Sequence, residues 1–182
     1  MADLQAIGQK AGEYLTTKHN ARERALPRSR QAIRFCANAI RAAHRDDFEL
    51  ANRHLAEAGG LLREMAKDLS DHLDIFYAGF VADAQKEYAE AALTAALIQR
   101  QPIPMPEDLG VEWAPYLNGL GEATGELRRY LLDRMRQGKL DGCEDILRDM
   151  DEIYSLLITL DFPDAITGNL RRTTDATRGI LE

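Results

Sequence analysis

The sequence predicts an all-α protein, one domain over 1–182 built as an antiparallel bundle of six to seven helices. Three observations predict it. Alanine, leucine, arginine and glutamate are abundant and β-branched residues sparse, which favours helix over strand. Apolar residues recur at helical spacing along nearly the whole chain. The connections between periodic segments are short with one exception, and short connections make consecutive helices antiparallel neighbours. With 182 residues, 45% of them apolar, the chain is long enough to bury a sizeable core.

The first helix is expected from about Leu4 to Arg45. Pro27 should kink or split it, since proline removes a backbone donor and crowds the preceding turn. Asp46 or Asp47 can cap the second helix, which carries Leu50, Leu55, Ala58, Leu61, Leu62, Met65 and Leu69. Gly59-Gly60 within it marks either a local weakness or the close approach of a neighbour. The third helix runs from about Asp71 or Leu73 to Arg100. The segment "QPIPMPEDLG" is the clearest loop. Pro115 can open the fourth helix, "YLNGLGEATGELRRYLLDRMRQ", which Gly138 ends. The fifth covers about Leu140 to Leu160, with Ile146, Leu147, Met150, Ile153, Tyr154 and Leu157 on its buried side. "DFPDAITG" leads into a sixth, with "NLRRTTDATRGILE" as its body. No internal repeat or low-complexity tract is present.

Several function classes drop out. Cys36 and Cys143 stand in no CxxC or Cys/His cluster, against zinc or a disulfide framework and in favour of a reducing cytoplasm. The N-terminal stretch lacks a basic start and a long apolar run, so no secretory leader is expected. No run of about 18 uncharged apolar residues exists, so no membrane partner is expected. The net charge is −7. Yet residues 1–45 hold nine Lys/Arg against three Asp/Glu, a basic arm on an acidic body. Such an asymmetry points to polyanions, although solvated helix faces give the same count.

The stretch "QKEYAEA" places two carboxylates, Glu87 and Glu90, in an apolar segment. At about 100° per residue, Phe76, Phe80, Ala84 and Ala91 form a stripe that contains Glu87, with Glu90 at its edge. A charge there is costly unless it is paired with a neighbouring arginine or binds a metal. The fourth helix adds Glu122 and Glu126 at i, i+4, facing away from Leu117, Leu120 and Leu131. On their own they would make an ordinary solvated face. Gly119, Gly121 and Gly125 beside them suggest that something packs closely there. Two such helices could converge on a hard cation, and oxygen ligands suit Mg²⁺ or Mn²⁺. A cation of that kind can activate water and stabilise in-line phosphoryl transfer, the chemistry of nucleases. A di-iron carboxylate bundle would need Glu-x-x-His pairs, and the sequence has none.

"GFVADAQKEYAEA" resembles the Trax segment that runs glutamine, glutamate, tyrosine, valine, glutamate, alanine. "YLNGLGEATGELRRY" resembles the stretch shared by translin and Trax, tyrosine-leucine-x-glycine, then glycine-glutamate-leucine-x-arginine. The order of elements agrees over nearly the whole chain, and the compact length resembles a prokaryotic, archaeal member of the translin/Trax family. The resemblance implies a translin-like bundle that assembles into a closed hollow homo-oligomer, an octamer by analogy. It also implies a Mg²⁺-dependent endoribonuclease acting on single-stranded or nicked RNA. Matched position by position, the catalytic and metal-binding carboxylates are Glu87, Glu90, Glu122 and Glu126. Glu87, Glu90 and Glu122 would hold the cation, with Glu126 a further ligand or a base. Glu122 stands where Trax usually has aspartate, one methylene shorter.

On the first helix, Arg30, Arg34, Arg41 and Arg45 fall in a strip about 60° wide, opposite Ile33, Cys36, Ile40 and Ala43. A charge stripe is often merely solvated. Guanidinium groups suit phosphates, however, and the resemblance implies that first helices line the chamber and touch nucleic acid. Lys18, Arg22, Arg24, Arg28, Arg171, Arg172 and Arg178 are weaker candidates. The alternatives to a nuclease are a translin-like chamber that binds RNA or single-stranded DNA without cutting it, and a helical scaffold for protein partners.

Overall fold

Forty residues, Leu4–Ala43, form one uninterrupted helix, α1, in the computed structural model, which describes residues 3–182. Met1 and Ala2, at the start of the N-terminal stretch, lie outside the described residues. The Asp3 carboxylate caps α1 by accepting from the Ala6 N–H at 3.1 Å. Pro27 does not split the helix. Pro27 and Glu23, whose carbonyl loses its partner, both face solvent, so water can satisfy that oxygen. Arg45 lies beyond the helix end, in the turn after His44.

Helix α2, Phe48–Asp68, is capped by Asp47, which accepts from the Leu50 N–H at 3.1 Å. Asp46 instead adopts φ 58° and receives the Tyr130 hydroxyl at 2.8 Å. Gly59 answers the question raised by Gly59-Gly60. A Cβ there would stand 2.7 Å from Tyr88 Oη, so the glycine makes room for a buried tyrosine. Gly60 carries no comparable contact.

The expected third helix is two pieces, a correction to the sequence reading. A single turn, α3 (Leu73–Phe76), is followed by α4 (Gly79–Ile98), with Ala78 extended between them at φ −74°, ψ 150°. Phe76 therefore sits on a different element from Phe80, Ala84 and Ala91, and the apolar stripe is cut. The loop after α4 holds another single turn, α5 (Pro106–Leu109), and is pinned where Tyr116 donates to the Pro104 carbonyl at 2.9 Å. Helix α6, Trp113–Arg136, has Pro115 in its first turn, where a missing N–H costs nothing. Helix α7 spans Cys143–Leu157, shorter than expected at both ends. It buries Ile146, Met150, Ile153 and Leu157, but Leu147, expected inside, is 48% exposed. A turn, α8 (Asp164–Thr167), precedes α9 (Leu170–Leu181).

Six long helices and three single turns thus make the all-α bundle among the described residues. Helix α1 packs on α2 and α4, α4 on α6, and α6 on α7 and α9. The buried apolar side chains form one cluster that begins at Ala21 on α1. Before that point Leu4, Ile7, Tyr14 and Leu15 are each more than half exposed. No helix among the described residues is long and apolar enough to cross a membrane.

Candidate functional site

The site lies where α4 and α6 touch. Gly119 permits the contact: a Cβ there would fall 2.7 Å from the Lys86 carbonyl oxygen and 2.8 Å from the Glu90 nitrogen, both main-chain atoms. Small side chains line the other face of α6 as well. Thr124 and Thr177 both donate to the Gly121 carbonyl, at 2.7 and 3.4 Å. Asn118 donates to the Thr167 carbonyl at 2.8 Å and accepts from Thr173 at 2.6 Å, fixing α9 against α6. Gln85 accepts from the Glu112 N–H at 3.3 Å, tying the start of α6 to α4. The glycines and threonines therefore set helix spacing, and helix spacing sets how closely the carboxylates meet.

They meet closely. Glu87, Glu90 and Glu122 each offer an oxygen within 4.8 Å of the other two. All three are partly buried. Burial, followed by the fields of Glu87, Glu122 and Glu126, pushes Glu90 up to about 8. Burial also raises Glu87, with Glu122 and Asp83 adding to it and Lys86 opposing. No guanidinium lies within ion-pair distance of these three among the described residues. The cation that does is Lys86, whose Nζ sits 2.7 and 2.8 Å from the two Glu122 oxygens and 3.6 Å from Glu87. Burial works against the Lys86 charge, but the Glu122 hydrogen bond and the surrounding carboxylates outweigh it and raise its pKa. Behind the cluster, burial first and then Glu87 and Glu90 push the Cys36 thiol up to about 12, leaving an inert side chain.

Glu126 stands apart from this trio. Its Oε2 is 2.8 Å from His44 Nε2 and 3.9 Å from Arg129. The contact with His44 is close but is not an aligned hydrogen bond, since neither His44 nitrogen has a well-directed partner. Tyr130 meets the imidazole edge-on, with ring centroids 6.1 Å apart.

Two cavities flank the carboxylates. One, of about 810 Å³, is lined by Lys86, Glu90 and Glu122 and walled by Asn169, just before α9, and by Arg172 and Thr173 of α9. The other, of about 570 Å³, gathers Arg41, Arg45, Arg129 and Arg136 around His44, with Asp133 among them 3.5 Å from Arg136. The expected arginine strip is exposed throughout, and Arg30, Arg34, Arg41 and Arg45 make no ion pair among the described residues. Only Arg41 and Arg45 share the basic cavity; Arg30 and Arg34 lie nearer the middle of α1. Among the weaker candidates, Lys18, Arg22 and Arg28 are engaged by Asp74, Glu23 and Asp68, and Arg171 and Arg178 by Asp161 and Asp175.

Sequence reasoning did not find Lys86 or His44. Lys86 is adjacent to Glu87 and so reads as belonging to its own helix, while His44 is a lone histidine at a helix end.

No family model matches the chain. It is 33% identical over 173 residues to an uncharacterized protein of Methanocaldococcus jannaschii, covering 93% of this chain and 75% of that one. It superposes with TM-score 0.88 on AfC3PO in a structure described as a duplex RNA complex. That match has 30% identity and covers 95% of this chain and 90% of the other. A second AfC3PO structure gives 0.87 at the same identity and coverage. Apo-NeC3PO shares the fold, with TM-score 0.83, 22% identity and coverage of 100% and 92%. The carboxylate-bearing α4, the Gly-rich α6 and these likenesses over nearly the full chain place the protein in the translin/Trax family.

Proposed function

We propose that the chain is the subunit of a closed hollow homo-oligomer, an octamer by family analogy, that holds RNA in a reducing cytoplasm. We further propose that its carboxylates make it a Mg²⁺-dependent endoribonuclease. The observation that carries the nuclease reading is the convergence of Glu87, Glu90 and Glu122 from two helices to within 4.8 Å. The donor set is all hard oxygen, which fits Mg²⁺ or Mn²⁺ and not zinc. A bound ion would supply Lewis acidity toward a phosphoryl oxygen. The protein's own part is to hold these carboxylates in a half-buried cleft, where two charges repel unless a cation neutralises them. Glu126, held by His44, suits a proton-accepting or orienting role better than coordination.

The likeness to AfC3PO, described with duplex RNA, supports RNA as the ligand. Arg41, Arg45, Arg129 and Arg136 supply guanidinium groups for its phosphates. The exposed Leu4, Ile7, Tyr14 and Leu15 give α1 an apolar face that a second copy would cover, which supports assembly.

One observation favours the non-catalytic reading, a container for RNA or single-stranded DNA: Lys86 already neutralises part of the cluster. A cleavage assay separates the two. Labelled single-stranded and duplex RNA are incubated with the parent and with Glu90→Gln, in Mg²⁺ and in chelator. The nuclease reading expects Mg²⁺-dependent cuts that vanish in the variant while binding persists. Equal cleavage by both proteins would defeat it, and binding without any cleavage would leave the container.

A further inference from the structure

Lys86 crosses from α4 to α6 and places its ammonium on the oxygens that a divalent ion would use. Both Glu122 oxygens are within 2.8 Å of Nζ, and Glu87 Oε1 is at 3.6 Å. Among the described residues it is the one cationic side chain within ion-pair distance of Glu87, Glu90 or Glu122. One ammonium faces three carboxylates and reaches only Glu122 and Glu87, so Lys86 neutralises the cluster incompletely. An ammonium and a divalent ion cannot share the same Glu122 lone pairs, and the doubly charged ion is the stronger ligand for hard oxygens.

We propose that Lys86 is an internal counter-ion that competes with a divalent cation for Glu122 and Glu87, and that cation binding displaces it. This rests on the metal-binding reading above. The displaced side chain has somewhere to go. Lys86 is attached by a flexible four-carbon stem and lines the 810 Å³ cavity on the α9 side, which it shares with Arg172. Arg172 makes no ion pair among the described residues, whereas its neighbours Arg171 and Arg178 are held by Asp161 and Asp175. That cavity is polar, lined by Asp83, Glu90 and Glu122 as well as by Arg172, so an ammonium released from Glu122 stays among groups that can solvate it. One side chain thereby limits charge repulsion in the cluster and gives way when a divalent ion takes the same oxygens.

Two measurements on the full chain, with Mn²⁺ as probe, test this. In the first, amines of the parent protein are acylated with and without saturating Mn²⁺ and mapped by mass spectrometry. Lys86 labelling should rise severalfold, while Lys10, Lys67 and Lys139 stay constant; this arm needs no variant to fold. In the second, calorimetry compares Mn²⁺ binding by the parent, Lys86→Met and Lys86→Arg. Removing the competing charge should tighten binding roughly three- to tenfold in Lys86→Met, the scale of a partly exposed ion pair. Lys86→Arg, which keeps the charge, should bind no tighter than the parent. Unchanged Lys86 labelling, or no tightening in Lys86→Met, overturns the proposal. If the parent binds Mn²⁺ and Glu90→Gln does not, such a result removes only the role of Lys86. If the parent binds no Mn²⁺, the metal reading falls and this proposal falls with it.

Discussion

His44 Nε2 lies 2.8 Å from Glu126 Oε2 and joins the C-cap of α1 to the glycine-rich helix α6. The imidazole side chain is only 8% exposed and the carboxylate 24%. A carboxylate this enclosed is costly without a partner. His44 holds the Glu126 carboxyl below the usual carboxylate range, against the effect of burial. Its stabilisation is therefore present above the ordinary value of 4.5 and lost as pH falls through the depressed folded value. His44→Leu should cost about 1–2 kcal/mol near neutral pH, the penalty for a half-buried group left unpaired. The difference from the parent should close in acid. Urea titrations across that range check both; a pH-independent loss would mean that the ring acts only by packing.

Glu90 carries the opposite sign. With its folded value raised to about 8, the folded chain holds a proton that the unfolded chain releases near 4.5. The contribution is fully present below 4.5 and erodes as pH rises toward about 8. In chelator, stability should fall over that interval, and Glu90→Gln, a neutral isostere, should flatten the fall. At the alkaline end the variant should be more stable than the parent by on the order of 2 kcal/mol, less than full linkage because the neighbouring carboxylates titrate together. Mn²⁺ should raise the melting temperature of the parent and leave that of the variant unchanged. Identical pH profiles for the two proteins would show that Glu90 is better solvated than its burial implies.

The glycines of α6 make a paired prediction. A Cβ at Gly119 meets main-chain atoms of Lys86 and Glu90 at 2.7 and 2.8 Å, which cannot turn aside. At Gly125 the nearest atom is Ile180 Cδ1, at 3.7 Å. Gly119→Ala should therefore destabilise by about 2–3 kcal/mol through overpacking and weaken Mn²⁺ binding by pushing the helices apart. Gly125→Ala should be neutral or stabilising by up to about 1 kcal/mol, since alanine is the better helix former. Thermal melts and calorimetry on both variants decide it; equal behaviour would remove the spacing argument.

Much of this was legible in the sequence because helical periodicity is a local signal. The cap at Asp47, the loop after α4 and most of the buried side of α7 follow from residue type and spacing. The break at Tyr77–Ala78 did not, because no proline interrupts the segment and the apolar pattern passes through the extended Ala78 unchanged. Leu147 misled for a related reason: it flanks the Ile146 stripe in the sequence pattern but is exposed in the fold. The site was half visible. Spacing put Glu87 with Glu90 and Glu122 with Glu126, but only tertiary contact at Gly119 joins Glu122 to the first pair and turns Glu126 toward His44. Lys86 was hidden because its partner is 36 residues away on another helix.

The arginine strip divides into two pairs that should behave differently. Arg41 and Arg45 open onto the cavity that holds Arg129 and Arg136, beside the Glu126 carboxylate. Arg30 and Arg34 are exposed on the helix with no such neighbours. Each phosphate contact on a single strand contributes roughly 0.7 to the slope of log affinity against log salt. Replacing all four by alanine should therefore lower the slope by about 3 if every one touches a phosphate. Arg41→Ala with Arg45→Ala should account for at least half of the loss, because clustered guanidinium groups lock a phosphate more firmly than isolated ones. Filter binding of a labelled RNA strand over a salt series measures the slope directly. The basic cavity would be excluded as the RNA track by a full slope in the Arg41/Arg45 double variant, and the mid-helix strip by a full slope in the Arg30/Arg34 variant.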